Sequence, residues 1–198
     1  MSSKNEILGR LRKNVRETYN MPDLSFEKIT FADPVAEYIK QTTTTAGAKL
    51  IEVKPGDDIN QLIRQAYPDA KVISSNIEGV KADRNPDEVE LAQDLDGTDV
   101  GVIRGTIACA ENACVWVPMD MKQKAICFIS EFLVLIVSRK CIVNNMHEAY
   151  KALEAMGDES SKYGFGTWMS GPSKTADIEQ SLVYGAQAAC GLTVLLTD

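Results

Sequence analysis

Residues 48–75 read AKLIEVKPGDDINQLIRQAYPDAKVISS. The run AKLIEVK at 48–54 predicts a strand, and Gly56-Asp57 leads out of it into a short helix, DINQLIRQAY. Pro68 stops that helix, and AKVISS at 70–75 predicts a second strand. Strand, short helix, strand is the rhythm of a parallel α/β sheet. The fold expectation rests on this stretch.

The rest of the chain extends the pattern. Upstream, residues 3–18 predict a helix, with Ser2 or Ser3 able to cap it and Ile7, Leu8, Leu11 and Val15 forming an apolar stripe. A turn at Pro22 follows. Asp33 then caps a second helix with Pro34 at its first position, Val35, Tyr38 and Ile39 facing inward, and Gly47 ending it. Downstream, the polar stretch 79–97, GVKADRNPDEVELAQDLDG, predicts a surface loop with one short helix. TDVGVIRG, CVWVP, FLVLIV, GTWM and LTVLLT are strand candidates. Helices fit at 144–156, capped by Asn144 or Asn145 and ended by Gly157, and at about 175–184. No internal repeat, linker or low-complexity tract interrupts the chain. The expectation is one α/β domain over residues 1–198: a helical N-terminal arm at 1–45, then an α/β core at 46–198 built on a Rossmann-like, largely parallel sheet.

Composition narrows the partners. The 198 residues carry a net charge of −7 with no long Lys/Arg cluster, which argues against a nucleic-acid footprint or an acidic lipid surface. A small-molecule or protein partner is favoured, and a homo-oligomer fits as well. The start, MSSKNEILGRLRKNVRE, has no apolar signal-peptide core, and the longest strongly apolar run, Phe132 to Val137, is too short to span a bilayer. These features predict a cytoplasmic protein without membrane insertion. Five cysteines, Cys109, Cys114, Cys127, Cys141 and Cys190, show no C-x-x-C and no iron–sulfur spacing, so they read as small apolar residues in a reducing compartment. The one histidine, His147, reads as a surface residue, and no metal site is expected.

Three segments could carry chemistry. The string SGPSKTADIE at 170–179 predicts a strand–loop–helix junction, with Thr175 as N-cap and Asp177 and Glu179 near the first turn, where the helix dipole favours acids. Gly171 permits unusual backbone angles, and Pro172 fixes the next φ. Bare backbone N–H groups, with Ser170, Ser173, Lys174 and Thr175, could hold a phosphate or carboxylate. On the chemistry of the residues alone, a plain capped junction is the preferred reading. It is not a P-loop, since Pro172 stands where the lysine must be. In IACAENACVWVP at 107–118, Glu111 and Asn112 are either a turn or a ligand anchor. Arg104 interrupts VGVIRG at an expected strand end, where α/β sheets bind ligands, and could pair an anion. In VYGAQAACG at 183–191, Gln187 either belongs to a tight connection or lines a site with the Lys174 loop. Neither G-x-S-x-G nor G-x-G-x-x-G is present, which removes serine-hydrolase and dehydrogenase readings.

The segments GTWMSGPSKTADIEQSLVYGA (166–186), DVGVIRGTIACAENACVWVP (99–118) and IVNNMHEAYKAL (142–153) resemble the LUD-domain proteins, the lactate-utilisation protein C family. The resemblance is strong over residues 95–198 and looser before them. It implies a fold like the ribose-phosphate isomerases, glucosamine-phosphate deaminases and CoA transferases, with helices on both faces of the sheet. It implies an accessory part in L-lactate oxidation beside iron–sulfur partner proteins, which would hold the clusters, leaving this chain without a cofactor. On that reading an anionic ligand pocket forms from Ser170 to Thr175, with Arg104, Glu111, Asn112 and Gln187 nearby. Two positions depart from the family pattern: Gln187 stands where a histidine is common, and Ala113 where glycine usually follows the Glu-Asn pair. A stand-alone enzyme acting on a phosphosugar or CoA-type anion, and a non-catalytic ligand-binding or regulatory module, are the competing readings.

Overall fold

The computed structural model describes residues 3–198 apart from 16, 18, 24, 179 and 180, and gives residues 177 and 178 through their backbone alone. In chain order the first half holds α1 (Ser3–Asn14), α2 (Pro34–Thr44), β1 (Lys49–Glu52), α3 (Ile59–Ala66) and β2 (Ile73–Ser74). Then come β3 (Val100–Arg104), β4 (Ile107–Cys109), β5 (Val115–Val117), α4 (Ile126–Ile129), β6 (Phe132–Ser138) and β7 (Ile142–Val143). The chain closes with α5 (Met146–Met156), β8 (Thr167–Met169), β9 (Lys174–Ile178), β10 (Ser181–Tyr184) and β11 (Gly191–Thr197).

Five strands form a wholly parallel sheet in the order β1-β11-β6-β3-β2. The strand–helix–strand reading of residues 48–75 is thus met by β1, α3 and β2. Side chains alternate across the strands, so each face has its own cluster. Val100, Val102, Val134, Ile136 and Leu195 pack with Ile63 and Tyr67 under α3. Ile103, Leu133, Leu135, Val137, Val194 and Leu196 pack with Tyr38 of α2 and with Ile126 and Cys127 of α4. Helices therefore lie on both faces. β6 is covered on both sides, which is why its sequence is a continuous apolar run instead of an alternating one.

A second sheet, ordered β7-β4-β5-β8, lies over the α2 and α4 face. Here CVWVP and GTWM are strands as expected, but they belong to this mixed layer and not to the parallel one. β4 and β5 are joined by a tight turn, and a tight turn can connect only antiparallel neighbours. Gly105 lets this layer close on the first: a Cβ there would lie 2.1 Å from Val115 Cγ1.

Helix starts follow the expected caps. Asp33 Oδ1 accepts from the N–H groups of Val35 and Ala36, both at 3.0 Å, with Pro34 opening α2. Asn145 Oδ1 accepts from Glu148 N at 3.0 Å at the start of α5, and Glu148 Oε2 accepts in return from Asn144 N at 2.9 Å. Gly157, with φ of 53°, ends that helix. The short helix expected in 79–97 is a single tight turn at Ala92–Leu95.

Two expectations are corrected. The first helix stops at Asn14, and its apolar stripe is not packed: Ile7, Leu11 and Val15 are 58–59% exposed. The helix expected at about 175–184 is instead the β9–β10 hairpin. Its ends are tied to one point, because Ser173 N donates to Ala189 O at 2.9 Å and Gly185 N donates to Ser173 O at 3.0 Å. A segment that must leave and return to the same place suits two antiparallel strands and not one helix. Among the described residues no helix is long and apolar enough to cross a membrane.

Candidate functional site

Parallel strands deliver all their carboxyl ends to one edge, where open α/β sheets take their ligands. At that edge the residues leaving β2 and β3 meet the segment after β5 around a cleft of about 280 Å³. Asn76, Glu78, Arg104, Thr106, Met119 and Asp120 stand on its walls. Arg104 closes β3 on the side of Val100 and Val102, beyond the reach of α3, so its side chain is exposed. It forms no ion pair among the described residues.

Thr106 lies two residues further on. Its backbone N–H is used, donating to Trp116 O at 3.0 Å, but its buried Oγ1 has no hydrogen-bond partner among the described residues. An orphaned buried hydroxyl costs about 1–3 kcal/mol. Met119 is fully buried yet holds a φ of 50°, a left-handed conformation that costs an L-residue about 1–2 kcal/mol. Such strain gathers where surrounding structure holds a site in place.

The acids of the cleft have different employment. Asp120 Oδ1 accepts from Lys162 N at 2.6 Å and Ser161 Oγ at 3.3 Å, so it anchors the segment entering β8. Asn76 Nδ2 donates to Asp87 Oδ2 at 3.1 Å and to Asp120 O at 3.4 Å, which ties the two walls together. Glu78 is exposed at the rim. The cleft thus offers an unpaired guanidinium on a braced frame, with an unsatisfied hydroxyl buried in its wall. A guanidinium fork matches a carboxylate in two hydrogen bonds, and a hydroxyl can serve a neighbouring oxygen.

The SGPSK segment lies at the opposite edge, against the start of β1. Lys174 Nζ donates to Ala46 O at 2.5 Å and Thr45 O at 3.4 Å, so its cation sits on the carbonyl end of α2, which the helix dipole favours. Gly171 makes this approach feasible. Its φ is 74°, and a Cβ would come within 2.2 Å of Ala46 O. Ser170 Oγ donates to Asn112 O at 2.8 Å. Thr175 is a strand residue and not an N-cap, so no helix start is present there to favour Asp177, whose backbone lies in β9. Glu179 lies outside the described residues. Gln187 is exposed in the connection between β10 and β11, two residues after Gly185, which bonds the Ser173 carbonyl.

Glu111 and Asn112 form the turn between β4 and β5. Glu111 Oε2 accepts from Met146 N at 3.0 Å, holding the first turn of α5. Asn112 Oδ1 accepts from Cys114 N at 3.1 Å across Ala113, whose φ is 57°. The structure therefore gathers Ser170, Gly171, Ser173, Lys174, Asn112 and the Gln187 loop toward the amino edge of the sheet. It leaves Arg104 at the carboxyl edge, at the other end of β4 and β5. Thr106, Met119, Asn76 and Asp120 were not singled out from sequence. The signal available was the short Arg-Gly-Thr connection leaving a strand end, which could have marked Thr106.

Burial pushes the Cys109 thiol up to about 11 and the Cys127 thiol up to about 12, and it raises Cys114 and Cys141 as well. These thiols stay protonated and pack as small apolar groups. All five cysteines are free, and Cys190 is exposed. His147 is exposed and meets the Phe26 ring edge-on at 4.8 Å. Among the described residues no three His, Cys, Asp or Glu side chains are grouped to hold a metal ion.

Comparison with known proteins gives a consistent picture. A family model described as the LUD domain matches residues 75–197. A protein named Lactate utilization protein C from Macrococcus caseolyticus (strain JCSC5402) is 23% identical over 224 aligned positions, covering 99% of this chain and 96% of that protein. A protein of the same name from Shouchella clausii (strain KSM-K16) is 26% identical over 115 positions, covering 58% of this chain and 50% of its own length. Among solved structures, a DUF162 family protein from Deinococcus radiodurans superposes with a TM-score of 0.64 at 17% identity, covering 86% of this chain and 100% of that one.

Proposed function

This chain belongs to the LUD domain family, and from that premise we propose that it serves lactate utilisation as an accessory subunit holding a small carboxylate in the Arg104 cleft. Two relatives carry the name Lactate utilization protein C, one of them along nearly its whole length, which supports the lactate role. In this reading iron–sulfur partner proteins carry the electrons and hold the clusters, and this chain takes no cofactor of its own. Its contribution is to bind and orient a small anion.

One observation carries the ligand class: an unpaired guanidinium stands on a cleft at the carboxyl edge of the sheet, with an orphaned hydroxyl buried in the wall beside it. Arg104 pairs the carboxylate through its fork, and Thr106 Oγ1 bonds an oxygen on the adjacent carbon. The strained Met119 backbone and the Asn76–Asp120 tie hold the wall, so little ordering accompanies binding.

The test is made in the source cell. Removing this chain while leaving its partners intact abolishes growth on L-lactate. The wild-type chain restores growth, and Arg104→Gln does not. Unimpaired growth without the chain overturns the lactate role. Full rescue by Arg104→Gln overturns the cleft and leaves the role standing. With purified protein, Arg104→Gln weakens lactate or pyruvate binding at least tenfold, consistent with about 1.5–3 kcal/mol for a charged hydrogen-bonded pair.

A further inference from the structure

Helix α1 is an amphipathic arm with none of its residues buried among the described residues. Ile7, Leu8 and Leu11, with Val15 just beyond, fall on one stripe, and all four are 39–59% exposed. Stripes of this kind are normally buried against something. The helix also carries four cations, Lys4, Arg10, Arg12 and Lys13, against the one carboxylate of Glu6. That balance is opposite to the whole chain, whose net charge is −7.

The opposite charge is concentrated elsewhere on the same molecule. Residues 78–99 hold eight carboxylates against Lys81 and Arg84. Among the described residues Arg84 forms no ion pair with them, and of the eight only Asp83 is paired, with Arg64 at 3.8 Å. Arg84 Nη1 donates to the backbone carbonyls of Asp94 and Asp96, at 3.3 and 2.6 Å, and folds the segment into a shoulder. Asp94 Oδ2 accepts from Leu91 N at 2.9 Å, closing the turn that presents Leu91. Leu91 is 61% exposed, with Glu88 and Glu90 beside it in sequence. An apolar knob within an acidic rim complements a basic helix with an apolar stripe.

We propose that α1 of one protomer docks on the acidic shoulder of a second copy of this chain, its leucines around Leu91 and its cations against Glu88, Glu90 and Asp96. Both complementary surfaces lie on one sequence, so a second copy supplies all that the contact needs. Exchange about a two-fold axis makes the contact twice. One three-turn helix is small beside the roughly 800 Å² per partner of a stable interface, and reciprocity doubles it. Ile29 and Phe31 are tied to Asn145 and Asn144, so the reach of α1 comes from residues 15–28, at most about 48 Å when extended.

Sedimentation velocity on the full chain at micromolar concentration tests this. At about 0.05 M salt the wild type runs as a dimer, and at about 0.5 M it dissociates, because the charged rim is screened. Leu8→Asp with Leu11→Asp gives a monomer, as does Glu88→Lys with Glu90→Lys. All four side chains are exposed, so circular dichroism remains that of the wild type. Adding Lys4→Glu, Arg12→Glu and Lys13→Glu to the shoulder variant restores the dimer. A wild type that stays monomeric throughout overturns the proposal, as does a dimer indifferent to the Leu8 and Leu11 changes. Capture of α1 by vesicles of anionic lipid, with no dimer formed, overturns it in favour of a membrane surface.

Discussion

Ala113 holds a left-handed backbone in the turn that Asn112 closes, and the residue is 3% exposed. The conformation costs alanine about 1–2 kcal/mol. Glycine would relieve that strain, but would lose a buried methyl worth about 0.8 kcal/mol and gain unfolded-state freedom worth about 0.4–1 kcal/mol. Ala113→Gly therefore stays within about 1 kcal/mol of the wild type in urea unfolding. Ala113→Val, branched at Cβ and larger than its site, loses more than about 2 kcal/mol. A valine variant of wild-type stability would mean the turn re-forms without positive φ. The need for an unusual backbone at this position was legible in the sequence, through the departure of Ala113 from the family's glycine. The orphaned Thr106 hydroxyl was not legible. Its isolation depends on the segment carrying Met119 and Asp120, which reaches the cleft only after β4 and β5 have run out and back.

At the scale of elements, the SGPSK segment proves to be the foot of a hairpin clamped to α2. Its residues alternate well enough for either reading, and only the backbone ties at Ser173 and Gly185 decide for strands. Local sequence cannot show that two points twelve residues or more apart are joined. The strands of the parallel sheet were easier to read, because burial on both faces leaves a continuous apolar run such as FLVLIV. Lys174 follows from this arrangement. Lys174→Ala removes the cation from the α2 carbonyls and lowers stability by about 1 kcal/mol, discounted for the exposure of the side chain. Carboxylate affinity in the Arg104 cleft stays within twofold of the wild type, since the two lie at opposite edges of the sheet. Thermal melts and ligand titration on the one variant check both statements, and a tenfold loss of affinity would join the two edges into a single site.

The whole molecule is acidic, and part of its stability depends on carboxylates that remain charged. Asp99 is held below the ordinary range by the N–H groups of Val72 and then Lys71, which tie the start of β2 to β3. Glu37 is lowered by Gln41 and Lys40, and Asp23 by the Ser25 hydroxyl and then its N–H. A carboxylate whose folded pKa is depressed contributes stability above its unfolded pKa of about 4, and loses it as pH falls through the folded value. The melting temperature accordingly drops between about pH 5 and pH 2. Asp99→Asn melts lower than the wild type at neutral pH and converges with it in acid. Two parallel melting curves with no convergence would show that the charge of Asp99 is not the source.

The sheet order carries one more consequence, for the birth of the protein. β11 fills the gap between β1 and β6, yet it follows β1 by about 140 residues. At translation speeds of about 5–20 residues per second, that is roughly seven to thirty seconds. β1 stays unattached throughout that interval, and the long apolar β6 lacks one neighbour for about the last fifty residues of it. Closure of the sheet waits for the final strand, so chaperones and proteases meet the unfinished molecule before it can protect itself.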